Sequence, residues 1–107
     1  MTDYQAPHEA DNKEKLNSMI KSLENGNELP AIIVIGEIAL NGSHRLSAWS
    51  AMEIEPSVVE ISSDDYTATC ESLFGDVVTI DEIYDFDEFC NTLYVITDDQ
   101  DVKNALR

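Results

Sequence analysis

The sequence predicts a single α+β domain, a small mixed sheet packed with helices. Three observations carry that expectation. Leu16, Met19, Ile20 and Leu23 recur at the spacing of one helix face. Ala31-Ile32-Ile33-Val34-Ile35 is a β-branched run apolar on both faces, as in a strand covered on both sides. The remaining segments alternate between helix-like and strand-like patterns, in a chain of 107 residues with 43% hydrophobic content. That size supports one core rather than two.

Residues 1–11 show no periodicity and contain Pro7. They are expected to form a flexible N-terminal arm or an extended edge segment, with residues 12–107 as the domain. His8 lies in that arm without an evident partner. The first helix spans Asn12 to Glu24 and stops at Asn25-Gly26. After the Ala31–Ile35 strand, Gly36-Glu37 suits a type II′ hairpin, and Ile38-Ala39-Leu40 returns as its partner. Ser43 to Met52 reads as a helix with Ser43 as a natural N-cap and with Leu46, Ala48, Trp49 and Met52 at core spacing. A strand over Ser57–Ile61 follows, then a helix from Asp64 to Phe74 closed by Gly75. Val77–Ile80 reads as a further strand, Asp81–Asn91 as a helix, and Leu93–Ile96 as a final strand. Thr97-Asp98-Asp99-Gln100 has the form of a capping box that opens a last helix ending at Leu106.

Charge narrows the function classes. The 22 acidic residues against 6 basic ones leave a net charge of −16, and no Lys or Arg occurs from Leu46 to Val102. Such a surface repels phosphate backbones, which argues against direct binding of nucleic acid. The longest apolar run is far short of a membrane span, and the polar start, Thr2-Asp3-Tyr4-Gln5, lacks the features of a secretion signal. A cytoplasmic protein is the expectation. Cys70 and Cys90 are too few and too isolated for a disulfide framework or a metal cage, so both are expected to be buried thiols.

The segment with chemical content is Asn41-Gly42-Ser43-His44-Arg45. A tight turn into a helix presents backbone N–H groups at the positive end of the helix dipole, where an anion is stabilised. Gly42 lets an anion approach the backbone, Ser43 offers a hydroxyl, and Arg45 in the first turn offers a fork of donors. Read as structure alone, the same residues are a turn, a cap, a surface histidine and an ion-pair partner.

Together with Leu29-Pro30, the β-branched strand and the short hairpin, Asn41-Gly42-Ser43-His44-Arg45-Leu46-Ser47-Ala48-Trp49 resembles the ParB N-terminal and sulfiredoxin-like superfamily. The resemblance runs from about Leu16 to Ile61. It implies an ATP, ADP or CTP phosphate site, with Mg²⁺ brought by the nucleotide, at Gly42, Ser43, His44 and Arg45. Members of the superfamily use that entrance for sulfinic acid repair, serine phosphorylation or CTP-gated DNA clamping. Ser43 stands where sulfiredoxins carry their reactive cysteine, so sulfinic acid reduction is excluded. Nothing here corresponds to the helix-turn-helix domain of chromosome-partition members. Kinase-like members need a carboxylate base, for which Glu37 is the nearest candidate in sequence; its plain reading is an exposed turn residue. Whether the chain is an enzyme stays open.

A second class of function also fits. The carboxylates Asp64, Asp65, Asp81, Glu82, Asp85, Asp87, Glu88, Asp98, Asp99 and Asp101 would dock a basic, nucleic-acid-binding protein, as a non-enzymatic inhibitor or DNA mimic does. A solvated acidic face is the plain alternative. The cluster from Asp81 to Glu88 lacks the spacing of a calcium loop. Asp98, Asp99 and Asp101 are expected in the first turn of the last helix, where the dipole favours carboxylates without any ligand.

Overall fold

The computed structural model describes residues 4–6 and 9–106, and it has the α+β architecture that the alternating pattern predicts. His8 and the rest of residues 1–3, 7–8 and 107 lie outside that description. Helix α1, Lys13–Glu24, begins at Asn12, whose side chain accepts the Lys15 N–H at 3.0 Å. Strand β1, Ile32–Ile35, turns through Gly36-Glu37 into β2, Ile38–Ala39, with Ile35 paired to Ile38. Gly36 has φ +58° while Glu37 is not left-handed, as a type II′ turn requires. Helix α2, Ser43–Ala51, then crosses to β3, Val58–Glu60, which lies parallel to β1. The sheet order is β2-β1-β3, and Gln5 of the arm extends it by a single bridge beside Ile38. Helices α3, Ser63–Phe74, α4, Phe86–Thr97, and α5, Gln100–Ala105, complete the chain, with one 3-10 turn at Ile80–Glu82.

The central strand explains the layering. Alternate residues of a strand face opposite ways, so Ile32 and Val34 join Ala39 and Trp49 in one cluster, backed by Leu23 and Leu46. Ile33 points into the other cluster, with Cys70, Phe89, Cys90, Leu93, Val102 and Ala105. Helices α1 and α2 therefore cover one face, and α3, α4 and α5 the other. Both cysteines are free and buried, and Trp49 is a core residue.

Four expectations fail in the second half. Leu93–Ile96 is not a strand but the end of α4: Phe86, Phe89, Cys90 and Leu93 form a helical stripe against the core, which outweighs the β preference of Val95 and Ile96. That helix starts at Phe86 rather than Asp81, because Asp85 caps it by accepting the Glu88 N–H at 3.0 Å. Val77–Ile80 forms no strand; the Val78 carbonyl instead takes the Tyr66 hydroxyl, which ties this loop to α3. The capping box at Thr97 does not form: α5 is capped by Asp99, and Asp98 ends α4 in a left-handed conformation, φ +49°.

The end of α2 carries backbone strain. Ile54 N–H reaches Trp49 O at 2.9 Å and Glu53 N–H reaches Ser50 O at 3.1 Å, a Schellman closure. The left-handed residue it requires is Glu53, φ +54°, where glycine is the usual occupant. Glu53→Gly is expected to raise stability by about 0.5–1 kcal/mol, the relief of strain exceeding the added unfolded-state entropy. Urea denaturation checks this; an unchanged or lower midpoint would mean that the Glu53 side chain offsets its own strain.

Candidate functional site

The turn from β2 into α2 is pressed against the sheet. Gly42 has φ +81°, and a Cβ there would lie 2.2 Å from Ile32 Cγ2, so both conformation and space demand glycine. Gly42 is also the N-cap of α2, and it brings no side-chain acceptor to the helix start. Ser43 is thus the first helical residue and not the cap; the left-handed turn has taken the cap position. Leu46 N–H makes the first helical bond, to Gly42 O at 2.9 Å, and the amides of Ser43, His44 and Arg45 lie ahead of it, at the positive end of the helix.

Side chains of the same turn bolt it in place. Asn41 Oδ1 accepts the Ile33 N–H at 2.8 Å, while its Nδ2 donates to Ala105 O at 2.7 Å. Arg45 is 5% exposed, and its guanidinium is spread over three backbone carbonyls. Nη1 donates to Pro30 O at 3.1 Å and Ala31 O at 2.7 Å, and Nη2 to Ala105 O at 3.2 Å. Burial lowers the guanidinium's pKa, with the nearby Cys90 opposing, but an arginine stays charged. Cys90 itself is pushed up to about 12 by burial, Asp87 adding to the effect and Arg45 opposing it. It is a thiol whose Sγ lies 3.7 Å from Leu40 O, which removes thiolate chemistry from this region. His44 is buried rather than a surface residue, and its Nε2 accepts the Asn12 N–H at 3.1 Å. That bond holds the starts of α1 and α2 side by side.

A cleft of about 430 Å³ opens at this point, and Gly42, Ser43, His44 and Arg45 all line it. Two charged groups that spacing did not single out for this site line it as well. Lys15 comes from the first turn of α1 and Asp87 from the first turn of α4. Pro30, Asn41 and Leu106 form further walls. Glu37 is not among the lining residues; it is exposed in the β1–β2 turn. Helix packing alone brings Lys15 and Asp87 here, and no local pattern signals it.

The other candidate carboxylates are spread over helix starts. Asp64 and Asp65 occupy the first turn of α3, Asp81 and Glu82 the 3-10 turn, and Asp87 and Glu88 the first turn of α4. Asp85 and Asp99 are N-caps, and Asp101 sits in the first turn of α5. Asp98 is not in that turn, since it terminates α4. All are exposed except the half-buried Asp65. Asp85, Asp87 and Glu88 come together with Asn91, Thr92 and Val95 along a shallow groove on α4. Among the described residues no group of three or more His, Cys, Asp or Glu is placed to hold a metal ion, and no helix is long and apolar enough to cross a membrane.

Gly42→Ala is expected to destabilise by about 2–4 kcal/mol, combining a left-handed alanine with a clash against Ile32. Arg45→Ala is expected to cost about 3–5 kcal/mol, since it strips the Pro30 and Ala31 carbonyls of this donor, leaves the Ala105 carbonyl to Asn41 alone, and opens a cavity. Urea unfolding of both variants is the check; losses under about 0.5 kcal/mol, the range of ordinary surface changes, would contradict this account of the turn.

Comparison of the chain with protein-family models, with curated proteins and with solved structures returns no match.

Proposed function

We propose that this protein binds the phosphate groups of a nucleotide, ATP, ADP or CTP, in the cleft at the start of α2. The observation that carries the reading is convergence. The four residues of the Gly42–Arg45 entrance line one cleft together with the exposed cation Lys15, and the starts of α1 and α2 are tied together beside it. Helix starts and a lysine supply what a phosphate needs, backbone donors and a mobile point charge. The volume falls within the range of small-molecule sites. The resemblance of Asn41–Trp49 to the ParB and sulfiredoxin-like superfamily supports the same reading. In this reading the Arg45 charge contributes chiefly through the field, because its donors are spread over carbonyls. Mg²⁺ would come with the nucleotide, with Asp87 the carboxylate at hand. The reading extends to binding and not to turnover.

Calorimetric titration with ATP, ADP and CTP, with and without Mg²⁺, tests it. Lys15→Glu is expected to weaken binding about tenfold, and Asp87→Asn to tighten Mg²⁺-free binding about threefold, as befits charges near a partly solvated anion. A nucleotide affinity indifferent to both substitutions would put the site elsewhere and end this reading.

A second reading rests on Tyr84. Tyr84 is 95% exposed and stands in sequence between the carboxylate pair Asp81 and Glu82 and the trio Asp85, Asp87 and Glu88, and Val95 on α4 is 77% exposed. An exposed aromatic within an acidic rim is the composition of an anchor for a basic partner. We infer from it an acidic inhibitor or DNA mimic that occupies the groove of a nucleic-acid-binding protein. Competition with DNA for such a protein, followed by fluorescence anisotropy across a salt series, is expected to be at least about tenfold weaker for Tyr84→Ala, the loss typical of an anchor residue. Equal competition by wild type and variant would reduce the effect to bulk charge.

A further inference from the structure

The last four carbonyls of any helix have no partner within it. In α5, a helix of six residues, the final carbonyl is that of Ala105, and it receives two donors from the entrance to α2: Asn41 Nδ2 at 2.7 Å and Arg45 Nη2 at 3.2 Å. Leu106, the next residue, is a wall of the cleft. The end of α5 and the candidate phosphate site therefore share two side chains.

The sharing is unequal. The other carbonyls held by Arg45, those of Pro30 and Ala31, lead directly into the central strand β1 and cannot move without the sheet. Ala105 belongs to a six-residue helix joined to α4 through the exposed residues Asp98 and Asp99; only its Val102 and Ala105 are buried, and its other four residues are exposed. Elements that bury few residues open at lower free energy than elements buried throughout. The Ala105 carbonyl, an oxygen with partial negative charge at a helix C-terminus, thus sits where it satisfies donors that an incoming anion would also seek.

We propose that the end of α5 is an autoinhibitory latch on the α2 cleft. Docked, it holds Asn41 Nδ2 and Arg45 Nη2 on the Ala105 carbonyl; released, those two donors are offered to phosphate oxygens, while Asn41 Oδ1 stays on the Ile33 amide and Arg45 Nη1 on the Pro30 and Ala31 carbonyls. The proposal rests on the phosphate reading of the cleft and adds its regulation. By linkage, whatever factor of affinity the anion gains on release is the factor by which bound anion weakens the docking of α5.

The test uses the full chain and two probes, inorganic pyrophosphate and ATP, in calorimetry. Leu106→Pro drives the preceding residue out of helical geometry and so swings the Ala105 carbonyl away; Leu106→Ala controls for loss of the leucine side chain. Leu106→Pro is expected to bind at least about tenfold tighter than Leu106→Ala, within the range of ordinary coupling between sites. Binding by Leu106→Pro alone would support the latch equally. Equal affinities would overturn the latch and leave the phosphate site standing; weaker binding by Leu106→Pro would make α5 a part of the site rather than its inhibitor. No binding of either probe by any form would end both ideas. Should Leu106→Pro fail to fold, hydrogen exchange on the wild-type protein decides: saturating pyrophosphate is expected to speed exchange of the amides of residues 101–106, and slowed or unchanged exchange would overturn the latch.

Discussion

The close approach of Gly42 to Ile32 is the constraint on which the rest of this molecule turns. Ile32 occupies the space that any side chain at residue 42 would need, and its own place is set by a strand buried on both faces. With the turn pressed flat, Asn41 reaches the Ile33 amide and Arg45 reaches the Pro30 and Ala31 carbonyls. Backbone groups beside an interior strand would otherwise be left without partners, at a cost of about 1–3 kcal/mol each. The turn before α2 thereby finishes the hydrogen bonding of the sheet's leading end, and the direction of α2 follows from it.

That arrangement separates two roles that the sequence pattern merges. Histidine and arginine after a glycine turn read as ligand groups, yet here His44 Nε2 takes the Asn12 amide and Arg45 takes three carbonyls. Each joins elements far apart in the chain. Positive charge at the cleft then comes from helix starts, from the field of a buried guanidinium and from Lys15, which alone among these groups is exposed. Against a net charge of −16 the local balance is what matters, because exposed charges beyond about 8–10 Å are screened at physiological salt. Asp87, on the wall of the cleft, opposes an anion directly, whereas carboxylates at the start of α3 contribute mainly to solubility and to their own helix dipole.

What was legible in the sequence divides along physical lines. The helix stripe of α1, the doubly apolar β1, the glycine-led hairpin and the Gly75 stop of α3 are local signals, and all four elements stand where those signals put them. The second half misled because Val95 and Ile96 carry strand propensity on the solvent side of a helix that is held by Phe89, Cys90 and Leu93. Tertiary contact outweighed local preference there. At the cleft, the Gly42–Arg45 entrance was readable from residue types alone. Lys15 and Asp87 were not, since each arrives by the packing of another helix against α2 or the sheet. Nor does spacing reveal which way an arginine in a first helical turn faces, so the burial of Arg45 had no sequence signal.

Arg45 serves the fold and also lines the cleft, and that limits how this scaffold can change. A side chain that completes the hydrogen bonding of a central strand cannot be replaced without loss of stability, and stability near the threshold is under constant selection. Replacement of arginine at position 45 therefore carries a structural cost whether or not an anion ever binds, while Lys15 and Asp87 are exposed and carry no such constraint. Among related chains, a conserved Gly-x-His-Arg turn would by itself speak for the fold. A conserved cation at position 15 would speak for the ligand, because nothing in the packing of α1 requires one there.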